Sequence, residues 1–416
     1  MMAKWLWIIG VDADGRTSLT HHALSVIRKA HVILTSPRLA QLLASDIEKT
    51  PHVRHWSRHI DDDIHHIRRY KDTIVVILAS GDPLYYGVAT RVLRIIPIEQ
   101  VTIMPARSSI SLACAKLGWT QQHVTPLSLH GRNPHHIRRY LSPKQRIIIL
   151  SEGITTLHAV AQALCDYGMR TTTIIVLSQL GSPQESHIHV TAQEAHTLTS
   201  LDPLTILAIE CGPCAHQTDN AHAPLVSTLT TLPDTAWRHD GLLTKQAIRA
   251  SAVSALSPHP AQTLWDIGSG SGSIAIEWMR LHHQNHAVAI EQNPQRCAHI
   301  RHNARALGTP TLTLLQGHAP HILSQIKPPH TKPDAIFIGG GLNEPTLIDT
   351  CYRMLQQGQH LVSHSVTIDH AHVLFEAYQR YGGNLQKIQT HSIQGIGSYH
   401  RWHAMLPVTQ WSLCKA

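Results

Sequence analysis

A glycine-rich loop, Asp266-Ile-Gly-Ser-Gly-Ser-Gly272, sets the tightest limit on how this chain can fold. Residues 262–267 read as a buried strand, and Ile274, Trp278 and Leu281 follow the loop at the spacing of one helical face. A strand, a glycine loop and a helix in this order let the main chain come close to a nucleotide-like ligand. The loop therefore predicts an α/β domain that binds such a ligand at the end of its first strand.

Later segments of the same half narrow the type of cofactor. Glu291 ends the next predicted strand, 287–290, where a carboxylate can take both hydroxyls of a ribose. A third strand, 312–315, leads to Gln316-Gly-His-Ala-Pro320, where an adenine can lie. The loop is not the G-x-G-x-x-G of dinucleotide-binding proteins, and Asp266 before it can balance a cationic group. Together these segments favour the sulfonium cofactor S-adenosylmethionine.

The N-terminal half has its own α/β pattern. Short β-branched runs alternate with helical patterns from Trp5 to about Glu210, at 6–9, 32–35, 74–79, 101–104, 147–150, 173–177 and 204–209. Such alternation predicts crossover units and a largely parallel sheet. Residues 212–240 lack periodicity and are rich in Pro, Thr, Ala and His, which predicts a linker. We therefore expect domains at 1–211 and 241–416.

Motifs in the second domain resemble the decarboxylating methylase of corrin biosynthesis. They are Gly241-Leu-Leu-Thr-Lys-Gln-Ala-Ile-Arg249, the loop at 266–272 with the Leu-Trp that precedes it, and Asp334-Ala-Ile-Phe-Ile-Gly-Gly-Gly341. The resemblance implies a Rossmann-like class I methyltransferase domain. With the pattern above, it assigns S-adenosylmethionine binding to Thr244, Asp266, Gly268, Ser269, Gly270, Ser271, Gly272, Glu291, Gly317 and Ala319.

Motifs in the first domain resemble the two-lobed tetrapyrrole methylases. The main one is Ser80-Gly-Asp-Pro-Leu-Tyr-Tyr-Gly87, and Pro105–Ser109 and Ser128–Arg132 are similar to the branch that acts on precorrin-6Y. The resemblance implies that Gly81, Asp82 and Pro83 bind S-adenosylmethionine. One position departs from the pattern, since Asp12 stands where the family's first loop has a second glycine. The order of the two domains is that of the fused precorrin-6Y methyltransferase family.

The resemblance implies methylation of carbons 5 and 15 of a tetrapyrrole, with loss of the ring-C acetate, to give precorrin-8X in cobalamin biosynthesis. A meso carbon of a reduced tetrapyrrole is enamine-like and needs no strong base, so the enzyme mainly positions it. Neither half shows an acid–base pair, and no catalytic residue is predicted. Candidates for binding the substrate carboxylates are Arg107, His130, Arg132, Lys245 and Arg249, each of which could equally be a solvated charge.

Net charge leaves a second class of substrate open. A charge of +8 and a pI of about 9.2 suit any polyanion, and an RNA or other nucleic-acid methyltransferase is the alternative. The strand at 334–338 lacks the Asn/Asp-Pro-Pro-aromatic loop of many such enzymes, and aromatics are 5% of the chain. A scaffold with a degenerate site is a third reading, which the intact loops disfavour.

Composition sets the remaining expectations. The chain has 35 histidines, but no H-E-x-x-H or Cys/His finger spacing, so we expect no metal. Cys211-Gly-Pro-Cys214 is a lone C-x-x-C pair. No signal peptide or run of about 20 apolar residues is evident. We expect a cytoplasmic homo-oligomer that binds neither nucleic acid nor membrane.

Overall fold

The computed structural model describes residues 4–213 and 231–416, which group into two units. Unit 1 contains Met1–Arg132, Lys144–Ala161 and Thr171–Gly212; unit 2 contains Asn133–Pro143, Gln162–Arg170 and Pro213–Ala416. Most of the predicted linker, at 214–230, lies outside the described residues, and so does Cys214 of the C-x-x-C pair. Two short segments that precede the linker thus group with unit 2. No helix in the described ranges is long and apolar enough to span a membrane.

The first sheet of unit 1 is entirely parallel, with strand order β3-β2-β4-β1-β5. Its strands are β1 (Leu6–Val11), β2 (Val32–Thr35), β3 (His52–His55), β4 (Val75–Ser80) and β5 (Val101–Met104). Its helices are α1 (His21–Arg28), α2 (Pro37–Leu42), α3 (Ala44–Ile47), α4 (Ile60–Ile67) and α5 (Ala89–Ile95). Apolar clusters cover both faces, so the sheet forms the centre of this lobe.

The second sheet of unit 1 has the order β6-β7-β10-β8-β9 and is mostly antiparallel. Its strands are β6 (Val124–Ser128), β7 (Arg146–Leu150), β8 (Thr173–Ser178), β9 (Ser186–Thr191) and β10 (Thr205–Glu210), accompanied by α6 (Ser109–Leu117) and α7 (Ile154–Asp166). The prediction of a largely parallel sheet is therefore correct for the first lobe and wrong for the second. The final strand inserts between β7 and β8, and periodicity carries no information about strand direction.

Unit 2 has a seven-stranded sheet of order β13-β12-β11-β14-β15-β19-β16. Its strands are β11 (Thr263–Ile267), β12 (His286–Glu291), β13 (Thr313–Gln316), β14 (Ala335–Ile338), β15 (His360–Ser365), β16 (Asn384–Ile388) and, after a separate hairpin, β19 (Val408–Cys414). Its helices are α8 (Gln246–Leu256), α9 (Ser273–Leu281), α10 (Pro294–Ala306), α11 (Leu347–Met354) and α12 (Ile368–Tyr381). The five parallel strands place the loops that follow β11, β12, β13 and β14 along one sheet edge.

The hairpin of unit 2 pairs only with itself in the described structure. It consists of β17 (His391–Ile396) and β18 (Tyr399–Ala404), which form a two-stranded antiparallel sheet. Ile393, Tyr399 and Trp402 project from it with 65%, 77% and 70% of their surface exposed. Such a set of large apolar side chains in solvent is unusual for a surface without a partner.

Candidate active sites

The glycine loop of unit 2 is built for close approach of main chain. Gly268, Gly270 and Gly272 have φ angles of 69°, 58° and 79°, a region that disfavours residues with a Cβ. A Cβ on Gly268 would lie 2.6 Å from the amide nitrogen of Gly340, in the loop after β14. The two glycine-rich loops therefore touch through backbone atoms, with no room for a side chain at Gly268.

Asp266 lies beneath this loop and is almost fully buried. Its Oδ2 accepts hydrogen bonds from Ser269 Oγ at 2.6 Å and from the amide of Ala275, in the first turn of α9, at 3.1 Å. Its Oδ1 is buried and has no hydrogen-bond partner among the described residues. Burial raises the pKa of Asp266 to about 6, although the hydrogen bonds from Ser269 and Ala275 oppose the shift. A cationic ligand group near this oxygen would compensate the buried negative charge of Asp266.

Glu291 connects the end of β12 to the loop after β11. Its Oε2 accepts a hydrogen bond of 2.9 Å from the amide of Gly270, and its Oε1 accepts one of 2.9 Å from the amide of Asn293. The amide of Gly317 donates to the Glu291 carbonyl at 3.0 Å. The structure therefore brings together Asp266, the loop, Glu291 and Gly317 at one sheet edge. Ser269, Ser271 and Ala319 are buried at the same edge.

The motif at 241–249, which contains Thr244, Lys245 and Arg249, does not join the glycine loop within the described part of the chain. Arg249 is completely buried, and its guanidinium binds the carboxylates of Asp234 and Glu277, at 2.9 and 3.4 Å. It also donates to the carbonyls of Thr244 and Leu232. Arg249 thus fixes the chain before α8 and is not available to a substrate carboxylate. Lys245 is exposed and lies 3.8 Å from Asp234, and within the described residues neither Thr244 nor Lys245 is hydrogen-bonded to the glycine loop.

These features fit S-adenosylmethionine. Two glycine loops leave an approach for a ligand along the main chain, Glu291 is fixed by a hydrogen bond from the Gly270 amide of the first loop, and Asp266 Oδ1 is buried without a hydrogen-bond partner among the described residues. Residues that would hold the cofactor are Asp266, the 268–272 loop, Glu291, Gly317 and Ala319.

The loop after β4 in unit 1 is also shaped by a glycine contact. Gly81 has a φ of 63°, and its amide donates to the Val11 carbonyl at 2.9 Å. A Cβ on Gly10, in β1, would lie 2.4 Å from the Gly81 carbonyl oxygen. Asp82 Oδ1 accepts the Leu84 amide at 2.9 Å, which fixes the turn around Pro83. The turn therefore exposes main chain beside the carboxyl ends of β1 and β4.

A cavity of about 470 Å³ opens at this turn, a size suited to a small-molecule site. Five predicted residues line it, namely Gly81, Asp82, Arg107, His130 and Arg132. Pro83 is not among its lining residues. Tyr85 and Tyr86 also line it, and their rings meet edge to face at 5.2 Å. Burial raises the pKa of Tyr85 to about 12, so its phenol is protonated at neutral pH. The cavity thus combines exposed main chain, aromatic surface and cations.

Relatives of the chain extend over its whole length. A precorrin-6Y C(5,15)-methyltransferase (decarboxylating) of Sinorhizobium sp is 36% identical over 100% of this chain and 97% of its own length. The protein of that name from Mycobacterium tuberculosis strain CDC 1551 is 34% identical over 98% of this chain and 99% of its own. The chain belongs to the precorrin-6Y C(5,15)-methyltransferase family.

Family models divide this precorrin-6Y methyltransferase family member as the motifs do. Residues 6–196 match the tetrapyrrole (corrin/porphyrin) methylases, and residues 235–415 match the precorrin methyltransferase domain. The two-part fold class predicted from sequence is thereby confirmed. The solved C-terminal domain of precorrin-6Y C5,15-methyltransferase from Rhodobacter capsulatus is 34% identical, with a TM-score of 0.42, and covers 45% of this chain and 98% of that one.

Two residues of this family member that shape its sites, Arg38 and Asn303, are not among those predicted from its sequence. Arg38 and Ser80 line the unit 1 cavity, and Arg38 Nη2 donates to Ser80 Oγ at 2.7 Å. In unit 2, the Asn303 amide donates to the carbonyls of Ser271 and Arg238, both at 2.9 Å, and so supports the glycine loop. The signal available for Arg38 is its place in the first turn of α2, three residues after the end of strand β2. Asn303 carried none, because it is one of many polar residues on α10.

Proposed function

We propose that this chain methylates precorrin-6Y at carbons 5 and 15 and removes the ring-C acetate as carbon dioxide, giving precorrin-8X in cobalamin biosynthesis. The methyl donor is S-adenosylmethionine in both transfers. Unit 1 carries the carbon-5 reaction; unit 2 carries the carbon-15 reaction and the decarboxylation. The net charge of +8 is then matched by a substrate that bears many carboxylates, with no nucleic acid involved.

One observation carries this proposal. The chain holds two separate ligand sites, each built where a glycine turn follows a parallel strand, at Gly81 in unit 1 and Gly268 in unit 2. The folds around them are different, and each matches the model of a different methylase family. Two methyl transfers by one chain are the simplest use of two such sites.

The residues present fit a mechanism in which the protein mainly orients the reacting carbon of the substrate. The cofactor supplies an electrophilic methyl group. A meso carbon of the reduced macrocycle supplies the electron pair, a C–C bond forms, and the C–S bond breaks as its electrons remain on sulfur. In the second reaction the C–C bond to the acetate carboxylate breaks, and the conjugated macrocycle takes up the electron pair before it is protonated. The protein's part is to orient the carbon, exclude water and bind carboxylates.

The decisive experiment incubates the purified chain with precorrin-6Y and methyl-labelled S-adenosylmethionine. We expect a product with two labelled methyls and release of one carbon dioxide. Asp266→Ala should abolish label at carbon 15 and leave carbon 5, and Gly81→Val should do the reverse because its φ is positive. Absence of label with folded wild-type protein would overturn the proposal, and equal loss at both carbons in either variant would overturn the division of labour.

We also propose that the chain acts as a homo-oligomer. Support comes from the β17–β18 hairpin, whose exposed Ile393, Tyr399 and Trp402 lie on a sheet with free edges. Light scattering of the wild type should give a multiple of 46.2 kDa. A Trp402→Glu variant should shift toward the monomer mass, whereas a monomeric wild type would contradict the proposal.

A further inference from the structure

The cavity of unit 1 is lined by three arginines whose electrostatic surroundings differ. Arg107 pairs through Nε with Asp12 Oδ2 at 2.5 Å and through Nη2 with Asp14 Oδ2 at 3.4 Å. These contacts raise the pKa of Arg107, the hydrogen bond to Asp12 contributing most. Arg107 is therefore already neutralised by protein carboxylates, and its cluster with Asp12 and Asp14 carries one formal negative charge.

Arg38 has no such partner. It lies in the first turn of α2, which Ser36 caps directly after β2, and its Nη2 donates to Ser80 Oγ at 2.7 Å. No Asp or Glu within the described residues forms an ion pair with it. Partial burial lowers the pKa of the Arg38 guanidinium.

The charge of Arg132 is compensated less than that of Arg107 but more than that of Arg38. It is exposed, and its guanidinium lies 5.3 Å from the centre of the Tyr86 ring, a cation–π contact. It also forms no ion pair within the described residues, but solvent screens its charge. The remaining carboxylate of the cavity, Asp82, is held by the Leu84 amide. Arg38 is thus the cation of the cavity with the most to gain from an added anion.

We propose that Arg38 binds a peripheral carboxylate of the tetrapyrrole in the unit 1 site and thereby orients carbon 5, a role that Arg107 does not share. The proposal rests on the proposed function. The planar guanidinium can hold a carboxylate through two parallel hydrogen bonds, and Ser80 fixes it beside the Gly81 turn. Asp12 and Arg107, two members of the negative Asp12–Asp14–Arg107 cluster, line the cavity as well, so the cavity attracts a carboxylate at one place and repels it at another.

The test compares wild type with Arg38→Gln, Arg38→Lys and Arg107→Gln. A matched control, Arg91→Gln, removes an exposed arginine of the same unit, paired with Asp61 at 3.0 Å and outside the cavity. Carbon-5 and carbon-15 methylation are separated by the NMR signals of ¹³C-labelled methyls, and S-adenosylmethionine affinity is titrated independently. Thermal melting establishes that each variant is folded.

We expect Arg38→Gln to raise KM for the tetrapyrrole in the carbon-5 reaction by about tenfold or more, the size of one charge-assisted hydrogen bond. Arg38→Lys should fall between it and wild type, while carbon-15 methylation and cofactor affinity stay unchanged. Arg107→Gln should raise KM less than Arg38→Gln. Weakened S-adenosylmethionine binding with an unchanged tetrapyrrole KM would instead assign Arg38 to the cofactor's carboxylate and overturn the proposal, as would no change in either.

A binding measurement separates this proposal from the proposed function. Uroporphyrin, a stable polycarboxylate tetrapyrrole, is titrated against the full-length wild type and Arg38→Gln by fluorescence at low and high salt. We expect weaker binding by the variant and a smaller salt dependence, whether or not wild type methylates precorrin-6Y. Equal affinities at both salt concentrations would overturn the role of Arg38 alone.

Discussion

Glu291 Oε2 accepts a hydrogen bond of 2.9 Å from the main-chain amide of Gly270, so a side chain at the end of β12 is held by the loop that follows β11. The other carboxylate oxygen accepts the Asn293 amide at 2.9 Å. Both oxygens are thus oriented by main-chain donors, and each retains a lone pair for a ribose hydroxyl.

Replacing this carboxylate should weaken cofactor binding in unit 2. In Glu291→Gln one amide donor meets an NH₂ group instead of an oxygen, so we expect S-adenosylmethionine affinity at this site to fall by about tenfold to hundredfold. Calorimetric titration resolves the two sites, and the unit 1 isotherm should not change. The exposed Glu376 of α12 supplies the control, since Glu376→Gln should bind as wild type does. Unaltered affinity in Glu291→Gln would contradict the assignment.

Asp266 should make the stability of the protein depend on pH. Burial raises its folded pKa to about 6 from the ordinary value of 3.8. Its contribution to stability is therefore present below about pH 4 and is lost as pH rises through 6, because the folded state then gives up a proton that it holds more tightly. Asp266→Asn can keep both hydrogen bonds to Oδ2 and removes the titration. The melting temperature of the variant, relative to that of wild type, should rise between pH 4 and 7. A difference in melting temperature that does not change with pH would contradict the raised pKa of Asp266.

Cofactor binding to unit 2 should follow the same carboxylate. If a cationic group compensates Asp266, affinity for S-adenosylmethionine rises with pH as Asp266 ionises near pH 6. Titrations of the wild type from pH 5 to 8 should show this rise, and Asp266→Asn should give a flat, weaker profile. A wild-type profile as flat as that of the variant would show that the cofactor does not sense this charge.

Two glycines of the loop should differ in their tolerance of alanine. Gly268 and Gly270 both have positive φ, which costs an alanine about 1 kcal/mol. Only at Gly268 would the added Cβ also collide with Gly340, at 2.6 Å from its nitrogen, whereas nothing lies within 4 Å at Gly270. Gly268→Ala should lower the melting temperature and cofactor affinity clearly more than Gly270→Ala. Equal effects would mean that the two loops do not constrain each other.

The two cations of the 241–249 motif, Lys245 and Arg249, should differ in their effects on stability and on substrate binding. Arg249→Met removes the guanidinium that pairs with the buried Glu277 and should cost about 3–5 kcal/mol of unfolding free energy. Lys245→Met should leave stability unchanged, because Lys245 is exposed, and should raise KM for the tetrapyrrole in the carbon-15 reaction. Denaturant unfolding and steady-state kinetics distinguish them. A stable Arg249→Met protein with raised KM would restore a substrate role for Arg249.

Strands with strong apolar periodicity could be located from sequence, and those without it could not. β2 and β5 match their predicted bounds, 32–35 and 101–104. β3 and β17 were missed because their residues are exposed, so burial imposes no pattern on them. β19 lacks a clear signal because it joins the sheet as a late antiparallel strand.

Some site residues could likewise be predicted from the sequence, and others could not. Loop residues that act through the main chain, such as Gly81 and Gly268, were identifiable because glycine itself marks the required backbone geometry. Arginines were not distinguishable by type alone. Arg249 is a buried structural cation, Arg107 is paired with Asp12, and Arg38 lines the unit 1 cavity without an ion pair among the described residues; these differences depend on the tertiary structure.

The meeting of Gly268 with Gly340 bears on the unusual composition of the chain. Because the two loops touch through atoms that every residue possesses, this part of the site is independent of which side chains the rest of the protein uses. A chain with 35 histidines and two phenylalanines can therefore be built around it without altering its shape. Where a site is formed by backbone atoms, the amino-acid composition of the rest of the chain can change without changing that site.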